Sequence, residues 1–348
     1  MPVADSVFLR ACRLEPVDNV PVWFMRQAGR SLPEYRRARG DGGILEAVRR
    51  PELAAELTVQ PVRRYGVDAA ILFSDIVVPV AAVGFGVDVQ QGLGPVVARP
   101  FTSEADLERL RPLQPEVDTP YVIEAVKIAV EALSPIGVPL IGFAGAPFTL
   151  ASYLVEGGPS RSYTRTKALM RSDRGLWTAL LDALADIALA SLRSQVIAGA
   201  AAVQLFDSWV GTLSPVDYER YVLPASRRVL EGLEDLGVPR IHFGVDTGEL
   251  LALMGKVGAE VVGVDWRVPL DEARARIGPG RAVQGNLDPA VCLAPWDVVA
   301  SEAHDVLRRG SGTGHVFNLG HGVLPETDPD TLARLTDLVH TTSPDSLR

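Results

Sequence analysis

Residues 201–246 read AAVQLFDSWVGTLSPVDYERYVLPASRRVLEGLEDLGVPRIHFGVD and contain two short apolar runs joined by a longer segment of helical period. The two runs, residues 201–208 and 240–246, are rich in residues that favour strands. The segment between them begins with Ser214 and a proline, which is typical of a helix start, and Gly237 can end the helix. This stretch therefore predicts a strand, a helix and a second, parallel strand.

The same alternation of apolar runs and helical segments extends in both directions, from about residue 20 to residue 321. A chain of 348 residues is long enough for one large barrel or for two ordinary domains. Eight runs, each entered from a turn rich in glycine, proline or alanine, fit a closed (β/α)8 TIM barrel better than an open sheet. The predicted strands lie near residues 20–25, 68–75, 139–145, 201–208, 240–246, 261–266, 282–288 and 315–320.

The chain has no low-complexity linker and no internal repeat, so residues 1–348 are predicted to form a single barrel domain with a short N-terminal arm. Residues 85–100, FGVDVQQGLGPVVARP, contain two alternating runs around glycines and predict a β-hairpin inserted after the second strand. Pro61 lies inside a helical pattern and predicts a kink or a break there. The last residues, TTSPDSLR, are expected to fray.

The charge balance narrows the possible partners. The chain has 34 Lys and Arg residues against 43 Asp and Glu residues, a formal net charge of −9, which argues against a general binder of nucleic acid or of anionic membranes. The N-terminus lacks the apolar core of a secretory signal, and no apolar run is expected to reach the length of a membrane span. Cys12 and Cys292 lie far apart without metal-ligand spacing, which favours free thiols in a reducing cytoplasm over a disulfide or a zinc site.

Polar residues follow the predicted strands at their carboxyl ends, where barrels of this kind hold their functional groups. The first strand ends in PVWFMRQAGR, residues 21–30, where Arg26 and Arg30 bracket a short loop. The planar guanidinium suits carboxylates and phosphates, so this loop predicts a local anion site. The other strand ends supply Ser74 and Asp75, Tyr153, Asp207 and Ser208, Asp246, Asp265, Asn286 and Asp288, and His321.

Each of these residues also has a purely structural interpretation. Asp75 and Ser208 can cap the helices that follow their strands, and Tyr153 can be a core residue whose hydroxyl has a partner. Arginines in an apolar context often form structural ion pairs, but a pair around Gly29, which lets the backbone approach a ligand, favours a binding loop. His321 lies between two glycines, in a turn where a purely packed histidine is not expected. Mainly structural roles, as caps or rim salt-bridge partners, are expected for Asp246, Asp265 and Asp288.

Two long stretches of the chain are PVWFMRQAGR, residues 21–30, and GFAGAPFTLASYLVEGG, residues 142–158. They resemble the paired signatures of the uroporphyrinogen decarboxylase family. Five shorter blocks resemble the family in the same order and along nearly the whole chain: FSDIVVP, FDSWVG, VVGVDW, QGNLDP and FNLGHGVLPETDP.

This resemblance implies a (β/α)8 barrel and a cytoplasmic homodimer of the haem pathway. It implies a carboxy-lyase that removes the four acetate carboxylates of uroporphyrinogen III, giving coproporphyrinogen III and CO2, with no metal and no organic cofactor. Carried over position by position, the family's substrate contacts fall on Arg26, Gln27, Ala28, Gly29, Arg30, Asp75, Tyr153, Ser208 and His321.

The residues suggest how such chemistry would work. Arg26 and Arg30 would bind side-chain carboxylates, while ionised Asp75 would accept hydrogen bonds from the pyrrole nitrogens. Protonation of a pyrrole carbon makes a cationic ring that takes up the electrons left by CO2, and the Asp75 carboxylate would stabilise that charge. Arg26 and a water-relayed proton are both candidates for the proton source.

Three other interpretations compete. A zinc-dependent methyltransferase of similar fold would need a His-x-Cys site, whereas the fifth strand reads His242, Phe243 and Gly244. A non-catalytic tetrapyrrole carrier would keep the arginines, but the presence of Asp75 as well counts against it. A purely structural interpretation does not explain why so many polar residues follow the same end of the strands.

Overall fold

Seven parallel strands form one curved sheet in the computed structural model of the chain, which describes residues 3–29, 31–90 and 92–343. Neighbours in the sheet follow one another along the chain, as in a (β/α)8 barrel. An antiparallel hairpin lies outside this sheet, as the sequence predicts. The barrel strands are β1 Ala70–Ile71, β4 Leu140–Gly145, β5 Ala202–Asp207, β6 Arg240–Gly244, β7 Val261–Gly263, β8 Ala282–Gln284 and β9 His315–Val316, and the hairpin strands are β2 Val87–Gln90 and β3 Gly94–Val97.

The segment predicted as the first strand closes the barrel, but only as a single bridge. Val22 pairs in parallel with Phe317 after β9, and the N–H of Phe317 donates to the carbonyl of Pro21 at 2.8 Å. On the other side, the N–H of Asp68 donates to the carbonyl of Val22 at 2.8 Å. The prediction of a full strand at residues 20–25 is wrong, because Pro21 has no N–H and the N–H of Val22 donates to the Asp68 side chain at 2.7 Å.

This closure is also tied to the last helix. The carboxylate of Asp68 that accepts the N–H of Val22 lies 2.8 Å from Nε2 of His340. The hydrogen bond and the charge of Asp68 raise the pKa of His340 above that of a free histidine, although partial burial opposes the rise. Asp68 therefore joins the barrel seam to the C-terminal helix.

Helices alternate with the strands and pack outside the barrel. The α-helices are α1 Val7–Cys12, α2 Pro33–Arg39, α3 Ile44–Val48, α4 Pro51–Tyr65, α5 Val78–Ala82, α6 Pro115–Asp118, α7 Pro120–Leu133, α8 Pro147–Glu156, α9 Thr164–Ser172, α10 Arg174–Ile197, α11 Pro215–Tyr221, α12 Leu223–Glu231, α13 Leu251–Met254, α14 Leu270–Ile277, α15 Trp296–Arg309 and α16 Pro329–Thr341. Short 3-10 helices are Val3–Asp5, Glu104–Arg109, Ser134–Ile136, Val210–Thr212, Glu234–Leu236, Gly248–Leu250 and Pro289–Leu293.

Prolines decide where two helices end or continue. The segment predicted as one helix from Ser214 is two helices, α11 and α12, because Pro224 cannot donate to the carbonyl one turn earlier. Ser214 caps α11 as predicted, accepting from the N–H of Asp217. In α4 the helix runs through Pro61 without a break, so the alternative of a break at that residue is wrong.

One described helix, α10, is long and apolar enough to cross a membrane by length and composition, and half of that stretch is buried inside this fold. The expectation that no apolar run reaches such a length is therefore wrong for α10. Its buried apolar residues, among them Trp177 and Leu184, belong to the core cluster that also includes residues of β5, α8 and α12. In this fold α10 is accordingly a core helix.

Polar side chains bonded to one another fill the middle of the barrel. The indole N–H of Trp23 donates to Gln284 Oε1 at 3.0 Å, and Gln284 Nε2 donates to Gln204 Oε1 at 2.9 Å. All three side chains are fully buried. Because side chains occupy this level, a ligand has access only to the mouth above it, at the carboxyl ends of the strands.

Candidate active site

The loop that carries Arg26 is held by the side chain of Gln27. The Gln27 amide accepts from the N–H of Phe24 at 3.1 Å and donates to the carbonyl of Ala69 at 3.1 Å, and the side chain is completely buried. Arg26 itself is exposed and has a φ of +60°. The loop therefore turns the Gln27 side chain inward and leaves Arg26 outward.

The half-buried residues Ala28 and Gly29 complete the described part of this loop. A Cβ on Gly29 would lie 2.7 Å from the carbonyl oxygen of Arg26, so only glycine fits the turn. Arg30, the second predicted cation, lies outside the described residues.

The loop of Arg26 is joined to the loop of His321. The N–H of Val323 donates to the carbonyl of Met25 at 2.8 Å, and a Cβ at Gly322 would overlap the Arg26 side chain. Arg26 therefore lies across the glycine that follows His321. The two strand ends, although they are almost 300 residues apart in the chain, present one continuous surface.

Asp75 leaves the sheet because β1 is short. The N–H of Leu72 still donates to the carbonyl of Ile141 in β4, but the N–H of Phe73 donates to Thr58 Oγ1 of α4 at 2.8 Å. The backbone N–H and carbonyl of Phe143 in β4 bond the side-chain amide of Gln195 in place of a neighbouring strand. Side chains thus replace the sheet ladder where the chain turns towards the mouth.

The Asp75 carboxylate holds a turn and also lies within the field of Arg26. Its Oδ1 accepts the N–H of Val77 at 3.0 Å, which is a turn immediately before α5. Burial raises the pKa of Asp75 above that of a free aspartate, while the Val77 hydrogen bond and the charge of Arg26 oppose that rise. One oxygen therefore holds the turn, and the carboxylate as a whole also feels the guanidinium of Arg26.

Tyr153 lies on α8, directly after β4, and is almost fully buried. Its ring packs edge-on against Trp209, with ring centroids 5.9 Å apart. Burial raises the pKa of Tyr153 to about 12, and the charges of Asp75, which raises it, and Arg26, which lowers it, also act on the phenol. The phenol therefore stays protonated and lies in the same electrostatic environment as Asp75 and Arg26.

The hairpin and the end of β5 support this helix. The N–H of Val97 in β3 donates to the carbonyl of Gly157 at the end of α8, and the N–H of Phe101 donates to that of Leu154. Half-buried Ser208 lies in the turn after β5, next to Trp209. The N–H of Trp209 donates to Thr149 Oγ1 of α8 at 3.3 Å.

Asp207 does not face the mouth. It is fully buried behind the sheet, where it accepts the hydroxyl of Thr149 at 2.9 Å and lies 3.6 Å from His242 Nε2. The physical reason is strand alternation: Gln204 and Phe206 point into the barrel, so Asp207 points out of it. The position of Asp207 at a strand end predicted a residue of the mouth. In the structure it instead bonds Thr149 of α8, which also accepts the N–H of Trp209 in the turn of Ser208.

His321 is a neutral hydrogen-bond donor. Its Nδ1 accepts the N–H of Gly322 at 2.6 Å, so the proton of the neutral ring is on Nε2. Burial, followed by the charges of Arg26 and Arg267, lowers the pKa of His321 to about 4. At neutral pH this imidazole therefore offers one N–H, which suits a carboxylate or carbonyl oxygen.

Three of the remaining strand-end residues, Asp246, Asp265 and Asp288, have structural contacts, as expected, and Asp246 forms an ion pair with Arg267. Asp265 accepts the backbone N–H groups of Asp246 and Arg267. Asp288 accepts the N–H of Ala290 at 2.9 Å and caps a 3-10 helix. Asn286 was predicted as one of the polar groups of the mouth. In the structure its amide donates to the backbone carbonyls of Asp265 and Val268 at 2.7 Å each.

An aromatic floor that sequence reasoning missed lies below the polar groups. Phe143 and Phe206 point into the barrel like Gln204, their ring centroids are 5.4 Å apart, and both stay half-buried although they lie inside the barrel. Their partial exposure means that they face the open mouth. The period of two along β4 and β5 is the signal that identifies them.

Arg267 was also missed. It follows β7 two residues after Asp265, and its charge acts on His321 together with that of Arg26. The block VVGVDW ends one residue before it, so its position after a predicted strand was the available signal.

Two other features do not contribute to this site. An open groove of about 1020 Å³ between α15 and α16 is lined by residues such as Trp296 and Arg334 and contains none of the predicted site residues. Within the described ranges, no three His, Cys, Asp or Glu side chains come together in a group that could hold a metal ion. The candidate active site is therefore the barrel mouth with Arg26, Asp75, Tyr153 and His321.

Solved structures with the same architecture share little sequence with this chain. A methyltransferase from Methanosarcina mazei superposes with a TM-score of 0.76 at 22% identity, covering 96% of this chain and 98% of that chain. A B12-independent methionine synthase from Shewanella sp. W3-18-1 superposes with a TM-score of 0.56 at 13% identity, covering 83% and 87%. At such low identity these likenesses support the fold alone.

Sequence comparison is more specific. The family model described as uroporphyrinogen decarboxylase (URO-D) matches residues 4–342. Proteins named uroporphyrinogen decarboxylase from Salinispora tropica and Streptomyces coelicolor are each 63% identical over 338 residues, which cover 97% of this chain and 90% and 94% of those proteins. The one from Thermobifida fusca is 60% identical over 338 residues, 97% of this chain and 93% of that protein. Together with the polar mouth of its barrel, this agreement along the whole described fold means that the chain belongs to the uroporphyrinogen decarboxylase family.

Proposed function

We propose that this chain removes the four acetate carboxylates of uroporphyrinogen III as CO2, leaving methyl groups and giving coproporphyrinogen III for tetrapyrrole synthesis. The observation that carries the proposal is the mouth itself, where the Asp75 carboxylate lies among Arg26, Tyr153 and other hydrogen-bond donors above an aromatic floor. This arrangement is complementary to a ring that has anionic side chains at its edge and N–H donors at its centre.

Binding follows from this complementarity. Arg26 is exposed and permanently charged, so it binds a side-chain carboxylate of the macrocycle, and we assign the same role to Arg30 from its place in the loop. The carboxylate of Asp75 accepts hydrogen bonds from the pyrrole N–H groups and orients the ring. The half-buried rings of Phe143 and Phe206 pack against the apolar face of the macrocycle.

The chemical step needs an electron sink, and the substrate itself contains one. A proton adds to a pyrrole carbon next to the acetate, forming a C–H bond and a cationic ring. The bond between the acetate methylene and its carboxylate then breaks, and its electron pair neutralises the ring as CO2 leaves. A second proton adds to the exocyclic methylene carbon and the ring proton is lost, which leaves a methyl group.

Asp75 acts at the cationic stage. A fixed carboxylate beside the protonated ring stabilises the positive charge when it forms and needs no reorganisation at that moment. Burial raises the pKa of Asp75 because it removes water from the ionised carboxylate, so a positive charge that develops in the mouth interacts strongly with it. No metal or organic cofactor is required, because the pyrrole ring performs the electron withdrawal.

The neutral residues position the ring. His321 donates from Nε2 to a substrate carboxylate, since a pyrrole N–H offers it no acceptor. Tyr153 and Ser208 donate their hydroxyl protons to carboxylate oxygens on the side of the mouth next to α8. Gln27 holds the loop, and the backbone of Ala28 and Gly29 forms its surface.

The test is direct. Purified protein is incubated anaerobically with enzymatically made uroporphyrinogen III, released CO2 is measured, and the remaining carboxylates of the product are counted by mass spectrometry. We expect four CO2 for each macrocycle and a product with four carboxylates, without added metal or cofactor. Tight binding of the macrocycle without CO2 would instead identify a carrier.

Three properties belong to the same proposal. The chain is a single barrel domain, which the lack of a linker or repeat in its sequence supports. It forms a homodimer and works in the cytoplasm, as the family resemblance implies. Light scattering on the eluting protein, which should give twice the chain mass, and fractionation of cells test the last two.

A further inference from the structure

Arg267 stands at the edge of the mouth in a fixed position. It follows β7, its side chain is 42% exposed, and its guanidinium lies 4.1 Å from the centroid of the Trp266 ring. The Trp266 ring in turn packs against the imidazole of His321, with centroids 6.4 Å apart. The Trp266 ring therefore contacts both this cation and, edge to face, the imidazole of the candidate site.

The guanidinium is oriented from behind by carboxylates. Its Nη1 lies 2.6 Å from Asp265 Oδ2, a carboxylate that is 2% exposed, and its Nε lies 3.6 Å from Asp246, which is largely exposed. The short contact uses one of the five N–H donors of the group. The fork is thus held at its buried edge, while half of the side chain remains accessible to a ligand.

The field of Arg267 reaches the site. Beyond the effect of burial, the charges that lower the pKa of His321 are those of Arg26 and Arg267. Although Asp265 and Asp246 partly balance Arg267, the imidazole thus lies within the fields of two positive groups. A carboxylate that approaches the N–H of His321 meets both of them.

From this geometry we propose that Arg267 is a second anion-binding residue of the mouth, which holds a carboxylate that the substrate keeps through the reaction, on the Trp266 side of His321. The proposal rests on the proposed function and names the group that this residue recognises. A permanent cation bound to a departing carboxylate would stabilise the reactant and oppose the loss of CO2. A partner at the rim is therefore matched to the propionates, which substrate and product share.

The test is the variant Arg267→Gln, assayed with uroporphyrinogen III and with coproporphyrinogen III as a competitive inhibitor. We expect KM to rise about tenfold, equivalent to ~1.4 kcal/mol, with kcat within about twofold of wild type. The inhibition constant of the product should rise by the same factor, because the propionates are common to both molecules. The matched control is Arg276→Gln, since Arg276 is 41% exposed and likewise lies near two carboxylates, those of Glu249 and Glu272.

A folded Arg267→Gln protein with wild-type KM and wild-type product inhibition overturns the proposal, and so does a loss confined to kcat. If the single variant does not fold because Asp265 is left without its partner, Asp265→Asn with Arg267→Gln is compared with Asp265→Asn alone, and the same tenfold difference is expected. Should wild type release no CO2, the proposed function fails. The affinities of wild type and Arg267→Gln for coproporphyrin, measured by its fluorescence, are then compared, and their ratio still decides the role of Arg267.

Discussion

Replacement of Asp75 by asparagine removes one charge from the mouth and changes almost nothing else. The amide oxygen of asparagine can accept the N–H of Val77 as Oδ1 does now at 3.0 Å, so the turn before α5 should persist. The folded-state pKa of Asp75 is raised, so ionisation of this group costs stability as the pH rises above the ordinary aspartate range. At neutral pH Asp75→Asn should therefore be as stable as wild type or more stable.

The expected loss of activity follows from the charge alone. A unit positive charge about 4 Å from a carboxylate gains about 4 kcal/mol at the effective dielectric of a partly buried site. If that gain is made only at the cationic stage, its loss slows the reaction by about 10³. Removal of other electrostatic stabilisers costs about 10²–10³ in kcat, which agrees with this value. Substrate binding should change less, because an asparagine oxygen still accepts pyrrole N–H groups.

The assay is CO2 release at saturating substrate, with binding measured separately by equilibrium dialysis under anaerobic conditions. In wild type, activity should fall as the pH is lowered and Asp75 becomes protonated. Because the pKa of Asp75 is raised, this fall should occur at a pH above the pKa of a free aspartate, and Asp75→Asn should not show it. Asp328→Asn is the matched control, because Asp328 accepts an N–H two residues ahead at 2.9 Å at the start of α16. Wild-type turnover in Asp75→Asn would refute the reasoning.

The remaining predictions concern the support of the site and the barrel seam. Gly322→Ala should raise KM by displacing Arg26, whose side chain a Cβ would overlap, while thermal stability changes little because Arg26 is exposed. Thr149→Val should lower the free energy of unfolding by about 1–3 kcal/mol, since buried Asp207 loses its hydroxyl donor, as measured by urea denaturation. The stability due to His340 is fully present below the pKa of an unfolded histidine and is lost as the pH rises through its raised folded-state pKa. His340→Gln should therefore flatten the dependence of Tm on pH above about pH 6.5.

Each of these variants has a control in the chain. Gly43→Ala introduces a Cβ with nothing within 4 Å, so KM should not change. Thr149→Ser keeps the hydroxyl and should retain most of the stability that valine removes. His304→Gln replaces an exposed histidine and should leave the pH dependence of Tm unaltered. If a variant and its control behave alike, the contact that the variant changes does not have the role assigned to it.

The barrel was predictable where strands are buried on both sides. Residues 139–145, 201–208 and 240–246 are rich in residues that favour strands, and they became the long strands β4, β5 and β6. The seam was not predictable, because whether residues 20–25 form a ladder depends on where the N–H of Val22 finds its acceptor. That acceptor is a side chain, Asp68, and no local pattern reveals it.

The site shows the same division. Position after a strand placed Arg26, Asp75 and His321 among many candidates, and the family resemblance singled them out together with Tyr153. In the structure the charges of Arg26 and Asp75 act on Tyr153, and that of Arg26 acts on His321. The same rule also selected Asp207, which points the other way, because a strand end alone does not state the direction of the side chain.

By itself, the order of residues determined the alternation of strands and helices and the chemical groups that stand at one end of them, since both depend on local periodicity and on residue type. The tertiary structure decided which of those groups share a space, as when Gly322 meets Arg26 and Trp266 connects Arg267 to His321. The reason is physical: burial and the fields of distant charges exist only after the barrel has closed, and they set the protonation of Asp75 and His321.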